Sequence, residues 1–369
     1  MHAQTDNTAS EIARAFGLPG SAIGFTPHGG GHIHRSFVLR MVTAHGDRRY
    51  FAQQINTFIF ERPAIVSANI VAVTAHIRRR LAAKGAIDLA RGVLNPLRTL
   101  NGEWACESSD GRIWRVFDYI EGAATRGAVC DARDAYEVGA AFGEFQALLA
   151  DYSGPPLIEV LSGFHDTPAR LRGFDEAVRA DCAGRAAAAA PELRAIDRHR
   201  RLSPLLMELA ASGAAPIRIV HNDAKISNVL FDANNGARLC VVDLDIVMPG
   251  LSLFDFGDML RSSATLAAED EPDVSRVNLE VELFEAIIRG YLSMAGSFLL
   301  PIERAHLVTA GLVITFEQAL RFLSDYLNGD RYYTVTRTDH NLHRARTQLA
   351  LLEQMARRRV ELERIAMAC

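Results

Sequence analysis

The sequence contains almost no lysine. Lysine occurs only at Lys84 and Lys225, so the other 38 of its 40 basic residues are arginines. The 44 acidic residues bring the net charge to −4, which gives no basic field of the kind that drives nonspecific nucleic-acid binding. We therefore expect no nucleic-acid partner, and the presence of a lysine at position 225 needs an explanation of its own.

Paired cysteines and long apolar runs are also missing. The five cysteines are odd in number, scattered and free of C-x-x-C spacing, which argues against a disulfide framework or a zinc site and fits a reducing cytoplasm. The N-terminus lacks the charged and apolar segments of a signal peptide, and no uninterrupted apolar run of about 18 residues occurs. We expect a cytoplasmic protein without a membrane span.

The predicted secondary structure changes at about residue 120. Before it, β-rich runs at 35–42, 48–56 and 111–120 alternate with turn clusters, and one helix is predicted between Glu61 and Gly85. After residue 125 most segments are long and have helical periodicity. We predict an α+β fold with a nucleotide-binding lobe at 1–118, a hinge at 119–123 and a larger, mainly helical catalytic and substrate-binding lobe at 124–369.

The stretch "IVHNDAKISNVLFD" places Lys225 in a loop between two short predicted strands. Its spacing, H-x-D-x-K-x-x-N, is that of a kinase catalytic loop. In such a loop the aspartate, here Asp223, orients or takes the proton of the attacking hydroxyl, and the asparagine, here Asn228, holds Mg²⁺. A compact ammonium at Lys225 suits a transferring γ-phosphate, although a short H-x-D pattern also occurs by chance.

A second acidic position follows another apolar run. "VVDLD" ends a predicted strand at Asp243, eleven residues after Asp232, where kinases place a further Mg²⁺ ligand. Hard oxygen donors from Asn228 and Asp243 suit a cation that prefers octahedral oxygen geometry. The two patterns together predict an ATP- and Mg²⁺-dependent phosphotransferase, whereas an aspartate at a strand end is by itself often only a turn residue.

Three sequence blocks resemble the aminoglycoside phosphotransferase superfamily of kinase-like proteins, and within it the branch of N-acetylhexosamine 1-kinases. They are "HNDAKISNVLFD", "VVDLDIVMPGLSLFDFGDMLR" and "EQALRFLSDYLNGDRYY". The resemblance implies a bilobal protein-kinase-like fold, a catalytic Asp223, and Mg²⁺ ligands at Asn228 and Asp243. It also implies that Asp255, with His221, braces the catalytic loop.

The predicted small lobe departs from the kinase pattern. Kinases place a lysine on the third strand and pair it with a glutamate on the next helix. Here the strand carries Gln53 and Gln54, and the helix at 63–83 contains no acidic residue. We infer that Gln53 or Gln54 contacts Asn69 on the inward side of that helix, since a neutral amide pair leaves no unpaired buried charge; the alternative is that these amides lie on the surface.

Two further segments are predicted to bind the nucleotide. A glycine loop that allows close approach of phosphate to the backbone is predicted at Gly29, Gly30 and Gly31, although three glycines are also common in a plain turn. Backbone groups of the segment "VFDYIEG" would contact the adenine at Asp118, Tyr119 and Ile120, and an ordinary linker between lobes would have the same sequence.

The acceptor site is less clearly marked. Polar and aromatic side chains that suit a sugar are predicted at Asp245, Arg321, Asp325 and Tyr332, and helix-end packing is the alternative for most of them. The resemblance favours the anomeric 1-OH of an N-acetylhexosamine as the acceptor. The alternatives are another hydroxyl substrate, such as an aminoglycoside, an amino alcohol or a neutral sugar, and a nucleotide-binding pseudokinase. The sequence makes no prediction of oligomeric state.

Overall fold

The computed structural model describes residues 2–29 and 33–369, of which residues 2–6 are described by backbone alone. The strands of the described residues are β1 Ser21–His28, β2 Arg35–Thr43, β3 Gly46–Gln54, β4 Cys106–Glu107, β5 Ile113–Asp118, β6 Ala123–Ala124, β7 Arg218–Val220, β8 Val229–Asp232, β9 Arg238–Val241 and β10 Met248–Gly250. The α-helices are α1 His2–Ala15, α2 Pro63–Ala83, α3 Leu89–Gly92, α4 Ala132–Leu149, α5 Thr167–Ala180, α6 Ala190–His199, α7 Leu205–Ala211, α8 Ser252–Ser263, α9 Val281–Ala295, α10 Pro301–Ala305, α11 Leu307–Leu327, α12 His340–Arg357 and α13 Arg359–Ala368.

The chain folds into two compact units that are discontinuous in sequence. The N-terminal unit combines the described residues up to Ala124 with Tyr152–Leu161 and Phe231–Val247. The C-terminal unit contains Thr125–Asp151, Ser162–Leu230 and Met248–Cys369. The N-terminal unit is therefore completed by Phe231–Val247, a segment that follows the catalytic loop in sequence.

A five-stranded antiparallel sheet forms the body of the N-terminal unit, in the order β1-β2-β3-β5-β4. One face of this sheet packs with α1 in a core that includes Phe37, Tyr50 and Trp114. Side chains alternate between the faces of a strand, so Gln53 and Arg115, which lie opposite each other in the register of β3 and β5, occupy the other face.

Helices α4 and α9 pack closely in the C-terminal unit through glycines. A Cβ at Gly139 would lie 2.2 Å from the carbonyl oxygen of Ile287, and one at Gly290 would lie 2.1 Å from that of Tyr136. Neither distance can accommodate a side chain, so these glycines permit the close approach of the two backbones. The pair forms a rigid base near the catalytic loop of the same unit.

Helix α11 is the only described helix that is long and apolar enough to cross a membrane. However, 83% of its apolar stretch is buried inside the protein, as expected for a central core helix. The predicted α+β fold class, with a β-rich N-terminal unit and a larger helical C-terminal unit, is confirmed. The predicted helix after Glu61 forms α2, which begins at Pro63, and Gly85 follows its end with a φ of 75°.

Candidate active site

The catalytic-loop motif forms a compact turn between β7 and β8. The Nζ of Lys225 lies 2.9 Å from Oδ2 of Asp223, and the side-chain amide of Asn228 donates to the same oxygen at 2.8 Å. The other carboxylate oxygen of Asp223, Oδ1, accepts no hydrogen bond from a described residue. The loop therefore fixes the carboxylate through one oxygen and leaves the other available.

A buried network holds this loop in place. Asp255, in the first turn of α8, accepts the backbone N–H groups of His221 at 3.0 Å and Asn222 at 2.7 Å. Gln146 on α4 donates to Asp255 at 2.7 Å, and Tyr291 on α9 donates to Gln146 at 2.6 Å. These are the contacts expected of a residue that braces the loop, and they connect it to the α4–α9 pair.

His221 is fully buried and contributes to the same arrangement. Its ring lies edge-on against Phe142 and Phe145, with centroid distances of 5.2 and 5.7 Å. Its Nδ1 accepts the backbone N–H of Asp223 at 3.2 Å. The imidazole therefore contacts the backbone at Asp223, and its role as a brace stays a prediction.

The Asp223 carboxylate is ionised at neutral pH. Burial raises its pKa, but the Lys225 ammonium, His221 and the Asn228 amide outweigh burial and lower the pKa to about 2. A carboxylate of this kind is a weak base in the resting enzyme. It can nevertheless accept a hydrogen bond from an incoming hydroxyl and orient it.

Asn228 and Asp243, the predicted Mg²⁺ ligands, have oxygen atoms that suit this ion. The amide nitrogen of Asn228 donates to the backbone oxygen and to Oδ2 of Asp223, so its own Oδ1 remains for another contact. Asp243 follows β9 in the left-handed region, with a φ of 62° and a ψ of 55°. Both oxygens belong to the hard donors that Mg²⁺ prefers.

On the face of the N-terminal sheet opposite α1, Gln53 contacts an arginine. The guanidinium of Arg115 donates to Oε1 of Gln53 from Nε at 3.0 Å and from Nη2 at 2.8 Å. It also contacts both carboxylate oxygens of Asp245, at 2.5 and 2.7 Å, and Nε2 of His34 lies 3.2 Å from that carboxylate. Burial would raise the pKa of Asp245, but Arg115 and His34 hold it well below its usual value.

The predicted contact between Gln53 or Gln54 and Asn69 is wrong. Asn69 donates to the backbone oxygens of Ile158 at 2.7 Å and Val247 at 3.0 Å, and it accepts the N–H of Ile158. Gln53 instead faces Arg115 across the sheet, and Oε1 of Gln54 is buried without a hydrogen-bond partner among the described residues. The Asn69 amide is bonded to backbone groups through both its nitrogen and its oxygen, and neither glutamine is hydrogen-bonded to it.

The predicted nucleotide-binding backbone is only partly described. Gly30 and Gly31 lie outside the described residues, whereas Gly29 follows β1 and has nothing within 4 Å of the position that a Cβ would take. The side chain of Asp118 accepts from Asn95, and the ring of Tyr119 stacks under Arg49 at 4.3 Å. The peptide N–H of Ile120 donates to no described residue, as required if it is to meet an adenine.

The predicted acceptor residues Asp245 and Asp325 are both buried and occupied. Asp245 is 4% exposed and is held by Arg115, and Asp325 is 6% exposed. The Asp325 carboxylate accepts the side-chain amide of Asn341 and the backbone N–H groups of Arg331, Tyr332 and Tyr333. It fixes the loop after α11 and has no open position, so the prediction that Asp245 and Asp325 contact the acceptor conflicts with their contacts inside the protein.

Arg321 and Tyr332, the other two predicted acceptor residues, are more accessible. The guanidinium of Arg321 lies 4.6 Å from the centroid of the Phe164 ring and makes no hydrogen bond or ion pair with a described residue. Tyr332 is 51% exposed and packs edge-on against Tyr333. These side chains retain the donors and the aromatic surface that a polyol would use.

Sequence reasoning missed the roles of Arg115 and His34. The available signal was Arg115 in the middle of the otherwise apolar run "IWRVF", because a buried arginine needs an acidic partner. That partner, Asp245, is 130 residues away, and neither the spacing nor the motif points to it. The part of the chain that the structure describes contains no cluster of three or more metal-ligating side chains, so a metal site could not be found from such a cluster.

Comparisons with solved structures support the fold. The chain resembles a microcompartment-associated aminopropanol kinase with 14% identity and a TM-score of 0.60, covering 93% of this chain and 94% of that one. A choline/ethanolamine kinase family protein from Mesorhizobium loti is 16% identical over 99% of each chain, with a TM-score of 0.51. A putative aminoglycoside phosphotransferase from Ralstonia eutropha is 13% identical, covering 96% and 98%, with a TM-score of 0.53. At these identities the likeness shows the fold alone.

The family is shown by a match over most of the sequence. Residues 25–296 match the model of the phosphotransferase enzyme family, abbreviated APH. This match extends from β1 to the end of α9 and contains the catalytic loop, Asp243 and Asp255. ATP and Mg²⁺, the predicted cofactors, are those with which this family works. The chain belongs to the phosphotransferase enzyme family and has its kinase-like fold.

Proposed function

We propose that this protein is an ATP- and Mg²⁺-dependent kinase of a small-molecule hydroxyl. The observation that carries the proposal is the state of Asp223, whose Oδ2 is held by Lys225 and Asn228 while Oδ1 is not engaged by a described residue. An ionised carboxylate with one open oxygen can orient an acceptor hydroxyl and receive its proton as phosphoryl transfer proceeds.

In this mechanism Lys225 has two tasks. Its ammonium keeps the Asp223 carboxylate ionised, and as a compact point charge it can also meet the phosphoryl oxygens where negative charge develops. When bound, Mg²⁺ neutralises phosphate charge, and the resemblance assigns its ligands to Asn228 and Asp243. The nucleotide would occupy the predicted N-terminal lobe, 1–118, and the hinge, 119–123, while residues 124–369 supply catalysis and acceptor binding.

The acceptor that we propose is an uncharged sugar, most specifically the anomeric 1-OH of an N-acetylhexosamine. Arg321 makes no ion pair with a described residue, and burial together with Arg321 lowers the pKa of the neighbouring Arg170. The carboxylate of Glu317 offsets part of the charge of these two arginines, and the remaining positive charge disfavours an ammonium group, whereas the guanidinium groups can donate to hydroxyl or acetyl oxygens. The block "VVDLDIVMPGLSLFDFGDMLR" supports the finer assignment through its resemblance to the hexosamine kinases.

The main alternative is an amino-alcohol or aminoglycoside acceptor. It is favoured by the activities of proteins with similar folds, such as the aminopropanol kinase, although 14% identity transfers no substrate. A pseudokinase is disfavoured by the ordered Asp223 and Asn228 and by the charge pair at Arg115. The five free cysteines fit the proposed cytoplasmic location.

An acceptor panel tests the proposal. ADP release would be measured with N-acetylglucosamine, N-acetylgalactosamine, glucose, galactose, ethanolamine, choline and kanamycin, and with the Asp223→Asn variant as the control. We expect the highest kcat/KM with an N-acetylhexosamine, and phosphorus–proton coupling to the anomeric hydrogen in the product. Turnover only with amine acceptors would refute the sugar assignment. Binding of Mg²⁺-ATP without any acceptor-dependent turnover would refute the kinase assignment.

A further inference from the structure

A buried charge cluster on the face of the N-terminal sheet opposite α1 is absent from the kinase pattern. We call it the Arg115 cluster, and it consists of Gln53, Arg115, Asp245 and His34. Arg115 is 3% exposed and Asp245 is 4% exposed. Nε and Nη2 of the guanidinium donate to Gln53 and Nη2 also donates to Asp245, whereas Nη1 lies 2.5 Å from Oδ1 of Asp245 as an ion pair without a hydrogen bond. The charge of Arg115 is therefore paired within the cluster.

The cluster fixes a segment that carries the proposed metal ligand. Asp245 lies two residues after Asp243, in the 3-10 turn Leu244–Ile246. The same segment is held at Val247, whose carbonyl oxygen accepts the side-chain amide of Asn69 on α2 at 3.0 Å. Arg115 and Asn69 thus anchor the segment 243–247 at two points, and all of these residues belong to one unit. Asp243 itself has a left-handed backbone, a conformation that persists in an aspartate only where the surroundings determine it.

The cluster also includes His34, the residue that precedes β2. Nε2 of His34 lies 3.2 Å from Asp245, and Nδ1 of His34 accepts the backbone N–H of Asn56 at 3.0 Å. His34 immediately precedes β2, at the end of the segment that connects β1 to β2. One buried carboxylate, Asp245, therefore connects the base of that segment to the turn after Asp243.

We propose that Arg115 and Asp245 are positioning residues that orient Asp243 toward the metal-bound nucleotide. The inference rests on the proposed kinase function. In this arrangement Arg115 lies on β5 and Asp245 lies in the turn after β9. Gln53 lies opposite Arg115 on β3. A lysine cannot reproduce the four contacts of this arginine, because its ammonium is a single point.

The test uses the full chain and three variants: Arg115→Lys, Asp245→Asn, and the double variant Arg115→Gln with Asp245→Asn, which leaves no unpaired buried charge. The matched control is Arg91→Gln with Asp232→Asn. That pair is a 2.6 Å ion pair within the same unit and also joins distant parts of the chain, but it has no contact with the Arg115 cluster. Calorimetry would measure the Kd of ADP with and without Mg²⁺, and thermal unfolding would monitor folding.

We expect the three variants to weaken Mg²⁺-dependent ADP binding by about tenfold or more while metal-free ADP binding changes by less than about threefold, as for other residues that orient metal ligands. The control substitutions should change neither the Kd of ADP with Mg²⁺ nor the Kd of ADP without it. Equal Mg²⁺ dependence in the parent and in folded variants would overturn the positioning role. A parent without Mg²⁺-dependent nucleotide binding would overturn the proposed kinase function as well, and the two failures are thereby distinguished.

Discussion

The catalytic loop and the Arg115 cluster organise their charges in opposite ways. In the loop, Asp223, Lys225 and Asn228 meet within five residues of sequence, so one short motif contains the whole arrangement. In the cluster, Arg115 and Asp245 are separated by 130 residues and meet only because the N-terminal unit gathers distant segments. The comparison teaches that a motif reveals a charge arrangement when its residues are close in sequence, whereas no motif reveals a buried charge pair whose residues are far apart in sequence.

Within the catalytic loop, the Asp223→Asn substitution is expected to have the largest effect. It removes the proposed acceptor of the proton and should lower kcat by a factor of about 10² or more, with little change in nucleotide affinity. Steady-state kinetics and nucleotide titration measure the two quantities, and Asp175→Asn, at a surface ion pair with Arg200, serves as the control. Turnover within a few-fold of the parent would remove Asp223 from the mechanism.

Substitution of Asp243 tests the ligand that the cluster is proposed to orient. Asp243→Ala should abolish Mg²⁺-dependent nucleotide binding, because it removes a hard oxygen donor. Alanine also strains the left-handed backbone at this position, so Asp243→Gly is the matched variant, which tolerates the φ of 62°. The two variants should behave alike in calorimetry. If tight Mg²⁺-ATP binding survives in either, the metal is held elsewhere.

Lys225 distinguishes a specific point charge from general basicity. Lys225→Ala should reduce kcat more than it weakens ATP binding, since the charge is needed most in the transition state. Lys225→Arg should also lower kcat by about tenfold or more, because a planar guanidinium cannot occupy the position of the ammonium 2.9 Å from Asp223. The comparison of kcat and KM for the two variants is the measurement. Near-parental turnover with arginine would mean that the lysine has no specific task.

The smallest effect is expected from pH. The pKa of Asp223 is about 2, so the carboxylate remains ionised when the pH falls from 7 to 5, and Asp223 should cause no acid loss of kcat in this range. The same shift stabilises the fold above the ordinary pKa of an aspartate, near 4, and this contribution is lost as the pH falls toward 2. A pH–rate profile measures the first effect. The prediction would be contradicted if kcat of the parent fell with a pKa above 5 and this fall were absent in a slow but active Asp223→Glu variant.

The sequence predicted the parts of the molecule that local patterns determine. The strands around the catalytic loop, the helix after Glu61 and the division into a β-rich and a helical unit follow from periodicity and turn residues. The contact of Gln53 was predicted wrongly because its partner depends on the register of β3 against β5. Asp325 was misinterpreted for a related reason, since only the folded loop shows that three backbone N–H groups converge on its carboxylate.

The discontinuity of the N-terminal unit has a consequence for the order in which a new chain can fold on the ribosome. Arg115 is synthesised 130 residues before Asp245, a delay on the order of 10 s at ordinary translation rates. During that interval the sheet can form, but its inward guanidinium has only the neutral Gln53 to contact. The N-terminal unit therefore reaches its final charge balance only after the catalytic loop has been translated, so a truncated chain that ends before residue 245 would retain an unbalanced cation.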